Sequence, residues 1–314
     1  SVTGTLNMAD LRLLLPPLYG NRMVQTAFIF VLIGLGIKAA FFPLHTWQPD
    51  AYTYAPSAVS VIISTVVAKT FIYAMLRITF SVFTVNFILS YMHIWTFISW
   101  IAAIAIIVGS ILAIAQFTLK RMLAYSSVAQ VGYIMLGVTL FNTHFGLAGA
   151  LMHLLNHVLM KGCLFLAAGA LIHKAGLWDI RDFAGLGRKM PYTCAAFLFA
   201  AISMIGVPPS VGFVTKLYLI LGSLEAGQFV FVAVLLLSSL LQLVYFWRVI
   251  EAMYMKGREE ESEHGHGKGE VPLSMVAPAL LLASLCFIVG ILWLIGTPLP
   301  ILEKAISSMG VVRP

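Results

Sequence analysis

Long apolar runs, each close to the length that crosses a bilayer as a helix, fill most of this chain, and four lysines lie inside them. Lys38, Lys69, Lys161 and Lys216 sit within those runs, while no Asp or Glu lies at comparable depth. A lysine at the bilayer centre costs roughly 2.5–3.5 kcal/mol on insertion scales. Such residues persist where they face a protein interior or a wet cavity, which is where proton and ion paths run. A fold for this chain must therefore cross the membrane repeatedly and hide basic side chains inside.

Of the 314 residues, 61% are hydrophobic and 10% charged, with mean hydropathy +0.97, more apolar surface than a water-soluble domain can bury. Windows of about 20 apolar residues fit helices through a hydrocarbon core of about 30 Å, and the weak two-residue alternation of a barrel is missing. The sequence predicts an all-α polytopic membrane protein of about eight spans: 22–43, 57–80, 93–117, 122–141, 146–172, 191–224, 229–254 and 273–296. The sixth is too long for one crossing and contains Gly206-Val207-Pro208-Pro209, so it reads as a broken helix.

The net charge of +7 is distributed by loop. Lys120, Arg121, Lys174, Arg181, Arg188, Lys189, Lys256, Arg258 and Lys268 fall on one side, against Arg12, Arg22, Arg77, Lys304 and Arg313 on the other. The richer side is expected to be cytoplasmic, placing the 255–272 loop inside and the C-terminus outside. No basic stripe interleaves with aromatics, so nucleic acid is not an expected partner. Cys163, Cys194 and Cys286 are far apart in sequence with no Cys-x-x-Cys pair, and no iron–sulfur cluster or other cofactor is expected. The opening Ser1 to Asn7 shows no signal-peptide pattern and reads as the end of something preceding it. His264 and His266 in the glutamate-rich 257–270 stretch could meet a divalent metal. Two histidines on a low-complexity loop fix no geometry, however, and a solvated loop is the better reading.

His153, His157 and Lys161 recur every fourth residue, which stacks them on one helix face about 6 Å apart. A neutral histidine donates at one ring nitrogen and accepts at the other, so it passes protons directly or through water. Packing by interhelical hydrogen bonds is the blander alternative, and a His-His-Lys column favours a hydrated path over it. Lys216 follows the Pro208-Pro209 interruption, where freed backbone groups need protein or water. Lys38 precedes Pro43; a helix ending there would let it snorkel. Lys69 lies too near the middle of its run for that. Ionised amines at depth want carboxylates, so either the lysines are often neutral or a neighbouring chain provides an acid.

These residues resemble a known family. Lys38 to Trp47 continuing through Pro49-Asp50-Ala51, then Ala55-Pro56-Ser57-Ala58 and Lys69, are similar to the antiporter-like subunits shared by respiratory complex I, Mrp sodium/proton antiporters and membrane-bound hydrogenases. Lys120 to Ser127 with Tyr125, Ser126, Ser127, Gln130 and Gly132 match too. So do the His153–His157–Lys161 column and Gly206-x-Pro208-Pro209 followed by Gly212 and Lys216. Lysine at 216 looks closest to the D-type Mrp subunit and its relatives in archaeal hydrogenase or sulfur-reductase complexes.

The resemblance implies two inverted five-helix repeats, each with a broken helix, and a polar axis along the membrane middle. Carried over, Lys38 and Lys69 belong to the first repeat, His153, His157 and Lys161 to the link, and Lys216 to the second break. Pro43, Gly206, Pro208 and Pro209 support the breaks. The chain then divides into a lead-in (1–21), two helices of the first repeat (22–81) and a complete second repeat (93–254). The 255–272 loop and a terminal helix with tail (273–314) follow. The family's first-repeat glutamate, expected beside Lys38, is absent. Another membrane subunit supplies it, or the subunit is shortened with only its second half-path functional, or the chain is a cleaved or partial one. The first of these is the expectation for a partner.

The function implied is proton conduction, or exchange of protons for sodium, within a multi-subunit energy-converting complex of a bacterial or archaeal cell membrane, with lipid around it and no bond chemistry on this chain. A non-conducting subunit that spaces its neighbours is the alternative. A stand-alone transporter of an organic solute is disfavoured, because no carboxylate or arginine cluster lies at depth to recognise one.

Overall fold

The computed structural model describes residues 2–92, 94–255, 269–296, 299–309 and 311. Helix dominates them, and the only β-type pairing among the described residues is an isolated bridge between Thr118 and Asp179. A short α1 (Met8–Leu14) leads into α2 (Arg22–Lys38), started by the Asn21 side chain accepting from Met23 N. After a break come α3 (Trp47–Tyr54), α4 (Ser57–Ile62) and α5 (Ala68–Arg77). The last two run on as one rod, Ser57–Val82, through π-turns at Ile63–Val67 and Ile78–Val82. Then follow α6 (Thr84–Tyr91), α7 (Trp95–Ile114), α8 (Leu119–Thr139), α9 (Gly146–Ala175) and α10 (Leu186–Lys189). The chain continues with α11 (Pro191–Ile205), α12 (Val211–Glu225), α13 (Phe229–Tyr254), α14 (Leu273–Ile295) and α15 (Leu299–Ser308).

Six rods are long and apolar enough to cross a membrane: Ser57–Val82, α7, α8, α9, α13 and α14. The shorter α2 and the pair α11–α12 account for the other two expected spans. The first span differs from the sequence reading, because α2 stops at Lys38 rather than at 43. Pro43 has no N–H to donate, its ring would strike the carbonyl four residues back, and it disfavours helical geometry at Phe42. The interruption in 191–224 falls between Ile205 and Val211, within the Gly-Pro-Pro stretch that suggested it.

The centre of the bundle is α8, of which 89% of the apolar window is buried, with α9 beside it at 72%. By contrast α13 and α14, at 33% and 28%, present most of their surface outward. A helix apolar around its whole girth and buried on every side belongs to a core. Helix α8 packs between α7 and α9, and α9 in turn touches α4, the first π-turn, α11, α12 and α14. The polar residues in the middle of α8 and α9, among them Ser126, Gln130, His153, His157 and Lys161, are therefore closed in by protein on every side.

Candidate membrane-interior proton site

The α9 repeat of four places His153, His157 and Lys161 in the bundle core, none more than 1% exposed. His153 Nε2 lies 2.7 Å from Gln130 Oε1, and its Nδ1 lies 3.1 Å from Thr215 Oγ1. With the Gln130 oxygen accepting, Nε2 carries the proton and Nδ1 faces the Thr215 hydroxyl. Tyr133 stacks on the His153 ring at 5.5 Å, and the His153 and His157 rings are 6.0 Å apart. His157 is fully buried, yet neither ring nitrogen has a protein hydrogen-bond partner. Lys161 Nζ donates to Leu123 O at 2.7 Å and to Ser126 Oγ. The hydroxyls of Ser126 and Ser127 return to Leu123 O one turn back on α8.

Lys216 is seated at the break between α11 and α12. Its Nζ reaches Ile205 O at 2.7 Å and Met204 O, Ser239 Oγ and Gln242 Oε1 each at 3.0 Å. An ammonium has three protons, so these four acceptors share it. Two of them are the last carbonyls of α11, which have no helical partner and carry the negative end of the helix dipole. Gly206 makes the seat possible. It ends α11 at φ +91°, and a Cβ there would stand 2.9 Å from Lys216 Cδ. Gly212 is as constrained, because a Cβ would overlap Ser203 O. Pro208 and Pro209 face outward, while Lys216 Nζ lies 5.4 Å from the Tyr133 ring, the same ring that covers His153.

The first break is built differently. Lys38 is the last residue of α2 and lies exposed on this chain, as does Pro43. Lys69 is buried, with Nζ 2.5 Å from Ser64 O in the first π-turn. The π-turn that receives this amine packs against α9. Tyr125 is half-buried and meets the buried His45 ring edge-on at 6.5 Å.

The structure thus brings Gln130, Ser126, His153, His157, Lys161 and Lys216 into the bundle interior, with Lys69 on the π-turn rod packed against α9, and leaves Lys38 and Pro43 at the surface. Among the described residues the amine partners are carbonyls, hydroxyls and an amide. The ion pairs there lie elsewhere: Arg121–Asp50 at 3.3 Å, His144–Glu225 at 2.5 Å and Arg181–Asp179 at 2.6 Å.

Sequence reasoning passed over Tyr133, Thr215, Ser239 and Gln242. The signal for Gln242 was present: an amide amid the apolar run of α13, flanked one turn earlier by Ser238 and Ser239. His264 and His266 lie outside the described residues. Among those described, no three His, Cys, Asp or Glu side chains gather as a metal site would need.

The family model described as NADH:quinone oxidoreductase/Mrp antiporter, TM, matches residues 1–242. NADH-quinone oxidoreductase subunit N of Desulforudis audaxviator is 47% identical over 300 residues, covering 93% of this chain and 59% of that protein. The D-type Na(+)/H(+) antiporter subunit of Bacillus subtilis is 33% identical over 294 residues, covering 93% of this chain and 58% of its own length. Among solved structures, a chain of the archaeal membrane-bound sulfane sulfur reductase matches with TM-score 0.85 and 33% identity. The match covers 98% of this chain and 60% of that one. A chain of the Mrp complex from Dietzia sp. DQ12-45-1b matches with TM-score 0.83 at 28% identity, covering 98% and 62%. This chain spans about three-fifths of the curated relatives it matches. The structural neighbours are parts of multi-subunit membrane complexes.

Proposed function

The chain belongs to the NADH:quinone oxidoreductase/Mrp antiporter family of membrane subunits, and from that premise we propose that it moves protons, or exchanges them for sodium, within a multi-subunit energy-converting complex. The supporting observation is the Lys161–His157–His153 column leading to Lys216, with every amine resting on neutral acceptors. Removing a proton from a lysine paired with a buried carboxylate strands an anion, at a cost of several kcal/mol. Here, loss of the proton leaves only carbonyl, hydroxyl and amide oxygens behind, which an uncharged amine can still meet. His153 links the two ends: it offers Nε2–H to Gln130 and Nδ1 to Thr215, so a proton gained on one nitrogen is released from the other. The unpartnered nitrogens of His157 suit bridging water, which is the usual solution for buried polar groups.

Lys69 supplies the switch. Two charges 8 Å apart at an effective dielectric of 20 interact by about 2 kcal/mol, enough to change a protonation equilibrium more than tenfold. A protonation change at Lys69, on the rod packed against α9, would be passed to the column by this kind of coupling. The chemistry that drives the switch is assigned to other subunits.

In the assembled complex reconstituted in proteoliposomes, Lys69→Ala and Lys216→Ala should each lower ion transport at least tenfold. Wild-type transport by both variants would overturn the proposal and leave a spacer subunit in its place. The exposed amine of Lys38 fits the expectation that another membrane subunit brings a carboxylate to it. Amine-reactive labelling of Lys38 should accordingly be strong in the isolated chain and weak in the complex. The basic loops place the 255–272 segment inside and the C-terminus outside, which accessibility of single introduced cysteines from each side tests.

A further inference from the structure

A second polar feature lies at the basic end of the bundle, away from the interior set. Two guanidiniums approach the Phe117 ring, Arg181 Cζ at 4.6 Å from its centroid and Arg248 Cζ at 5.1 Å. Backbone bonds lock this corner: Leu119 N donates to Trp178 O at 3.1 Å and Ile180 N to Phe117 O at 2.8 Å. Asp179 receives Nε and Nη2 of Arg181, and Arg248 Nη1 donates to Ile114 O, so both cations are aimed with donors to spare. Together with Ile180, Glu251 and Ala252 they line a cleft of about 230 Å³. Glu251 follows Arg248 by one turn of α13, and it joins neither arginine in an ion pair within 4.0 Å among the described residues. The cleft thus joins two guanidiniums from different elements, Arg248 on α13 and Arg181 on the Ile180–Asp182 turn, with the Glu251 carboxylate one turn along α13.

Its depth is that of a membrane surface. Arg248 lies six residues before the end of α13, about 9 Å along the axis. Phe117 and Trp178 are exposed beside it, as aromatic side chains are at headgroup level. Toward the bilayer centre the exposed face of α13 is apolar: Leu240, Leu243, Val244 and Trp247. A ligand seated in the cleft would have somewhere to lay acyl chains.

We propose that this cleft holds the phosphoethanolamine headgroup of a glycerophospholipid, with the phosphate on Arg248 and Arg181 and the ammonium on Glu251. Guanidinium forks suit phosphate oxygens, and basic pockets between membrane helices are known headgroup seats. The carboxylate sets the selectivity. Ethanolamine offers N–H donors to Glu251, a choline quaternary nitrogen offers none, and a glycerol headgroup offers no cation. Free phosphate would meet the arginines but use neither Glu251 nor the apolar strip below.

The test is native mass spectrometry of the full chain released from nanodiscs containing equal phosphatidylethanolamine, phosphatidylglycerol and phosphatidylcholine. The ethanolamine lipid should be retained at least fivefold over the choline lipid. Arg248→Gln should lower retention of the ethanolamine and glycerol lipids several-fold. Glu251→Gln should erase the ethanolamine preference while leaving total phospholipid bound; this second variant keeps the test open should Arg248→Gln fail to fold. Equal retention of ethanolamine and choline lipids by the wild type would overturn the assignment. So would displacement by inorganic phosphate as complete as that by glycerophosphoethanolamine.

Discussion

Gln242 grips Lys216 and Tyr133 with opposite ends of one amide. Its Oε1 lies 3.0 Å from Lys216 Nζ, and its Nε2 lies 3.1 Å from the Tyr133 hydroxyl. Tyr133 also stacks on His153, so α13 fixes the relation between the last lysine and the last histidine without carrying a titratable group there. Hydrogen bonds to charged groups contribute about 1.5–3 kcal/mol. Gln242→Leu should therefore depopulate the Lys216 seat by one to two orders of magnitude (about 10- to 100-fold). Proton flux through the reconstituted complex should fall by a similar factor, while subunit assembly on native gels is unchanged. Gln242→Glu should instead lock the ammonium to a carboxylate and slow turnover as well.

His157 makes a sharper case because it separates stability from conduction. Both ring nitrogens are buried without protein partners, the position the proposal fills with bridging water. His157→Phe keeps an aromatic ring but removes both polar atoms. The variant should assemble and melt close to wild type in detergent yet conduct protons at least tenfold more slowly. Normal flux would show that the ring is packing material.

Much of the interior set was legible because charge and spacing are visible in a sequence: His153, His157 and Lys161 at every fourth position, and Lys216 beyond a Gly-Pro-Pro break. Lys38 and Lys69 were also separable, because Pro43 offered an end to the first helix from which Lys38 could snorkel while Lys69 lay mid-run. In the structure α2 stops at Lys38 itself, leaving that amine exposed and Lys69 buried. The seat of Lys216 was barely legible: half of it is backbone carbonyl from α11, and the rest comes from α13, where only the polar Ser239 and Gln242 amid an apolar run gave a sign. Neutral partners contributed from another element leave no charge signature. The small helices α1, α6 and α15 were equally silent, being too short for a spanning pattern.

Outside the membrane, the hydrogen bonds from Arg181 hold the Asp179 carboxyl below the usual carboxylate range. The folded-state value is depressed, so the stabilisation is complete above the unfolded value, about 3.9, and fades as pH falls through the lower folded one. Asp179→Asn should lower the melting temperature slightly at neutral pH, and the difference from wild type should shrink as the pH is lowered below the usual carboxylate range. Because Asp179 also aims Arg181 at Phe117, the same variant should weaken phospholipid retention.

The broken helix that carries Lys216 is pinned at both outer ends by a carboxylate, and the two pins act on different halves. Glu270 accepts from Tyr192 N at 2.9 Å, Thr193 N at 3.3 Å and Thr193 Oγ1 at 2.5 Å, which caps the start of α11. Glu225, at the end of α12, accepts from His144 N at 2.8 Å and meets His144 Nδ1 at 2.5 Å. A carboxylate at a helix start is favoured by the dipole and one at a helix end is not, so Glu225 relies on its two hydrogen bonds from His144 where Glu270 has the dipole as well. Loss of a helix-start cap costs about 0.5–2 kcal/mol. Glu270→Ala should loosen α11, whose far end supplies Met204 O and Ile205 O to Lys216 about 20 Å away. Hydrogen exchange should then rise along Pro191–Ile205, and flux should fall although no residue of the conducting set has changed. Glu225→Gln should raise exchange along Val211–Glu225 instead. If both variants loosen the same half, or neither alters flux, the two half-helices are not independently anchored and Lys216 does not depend on their outer ends.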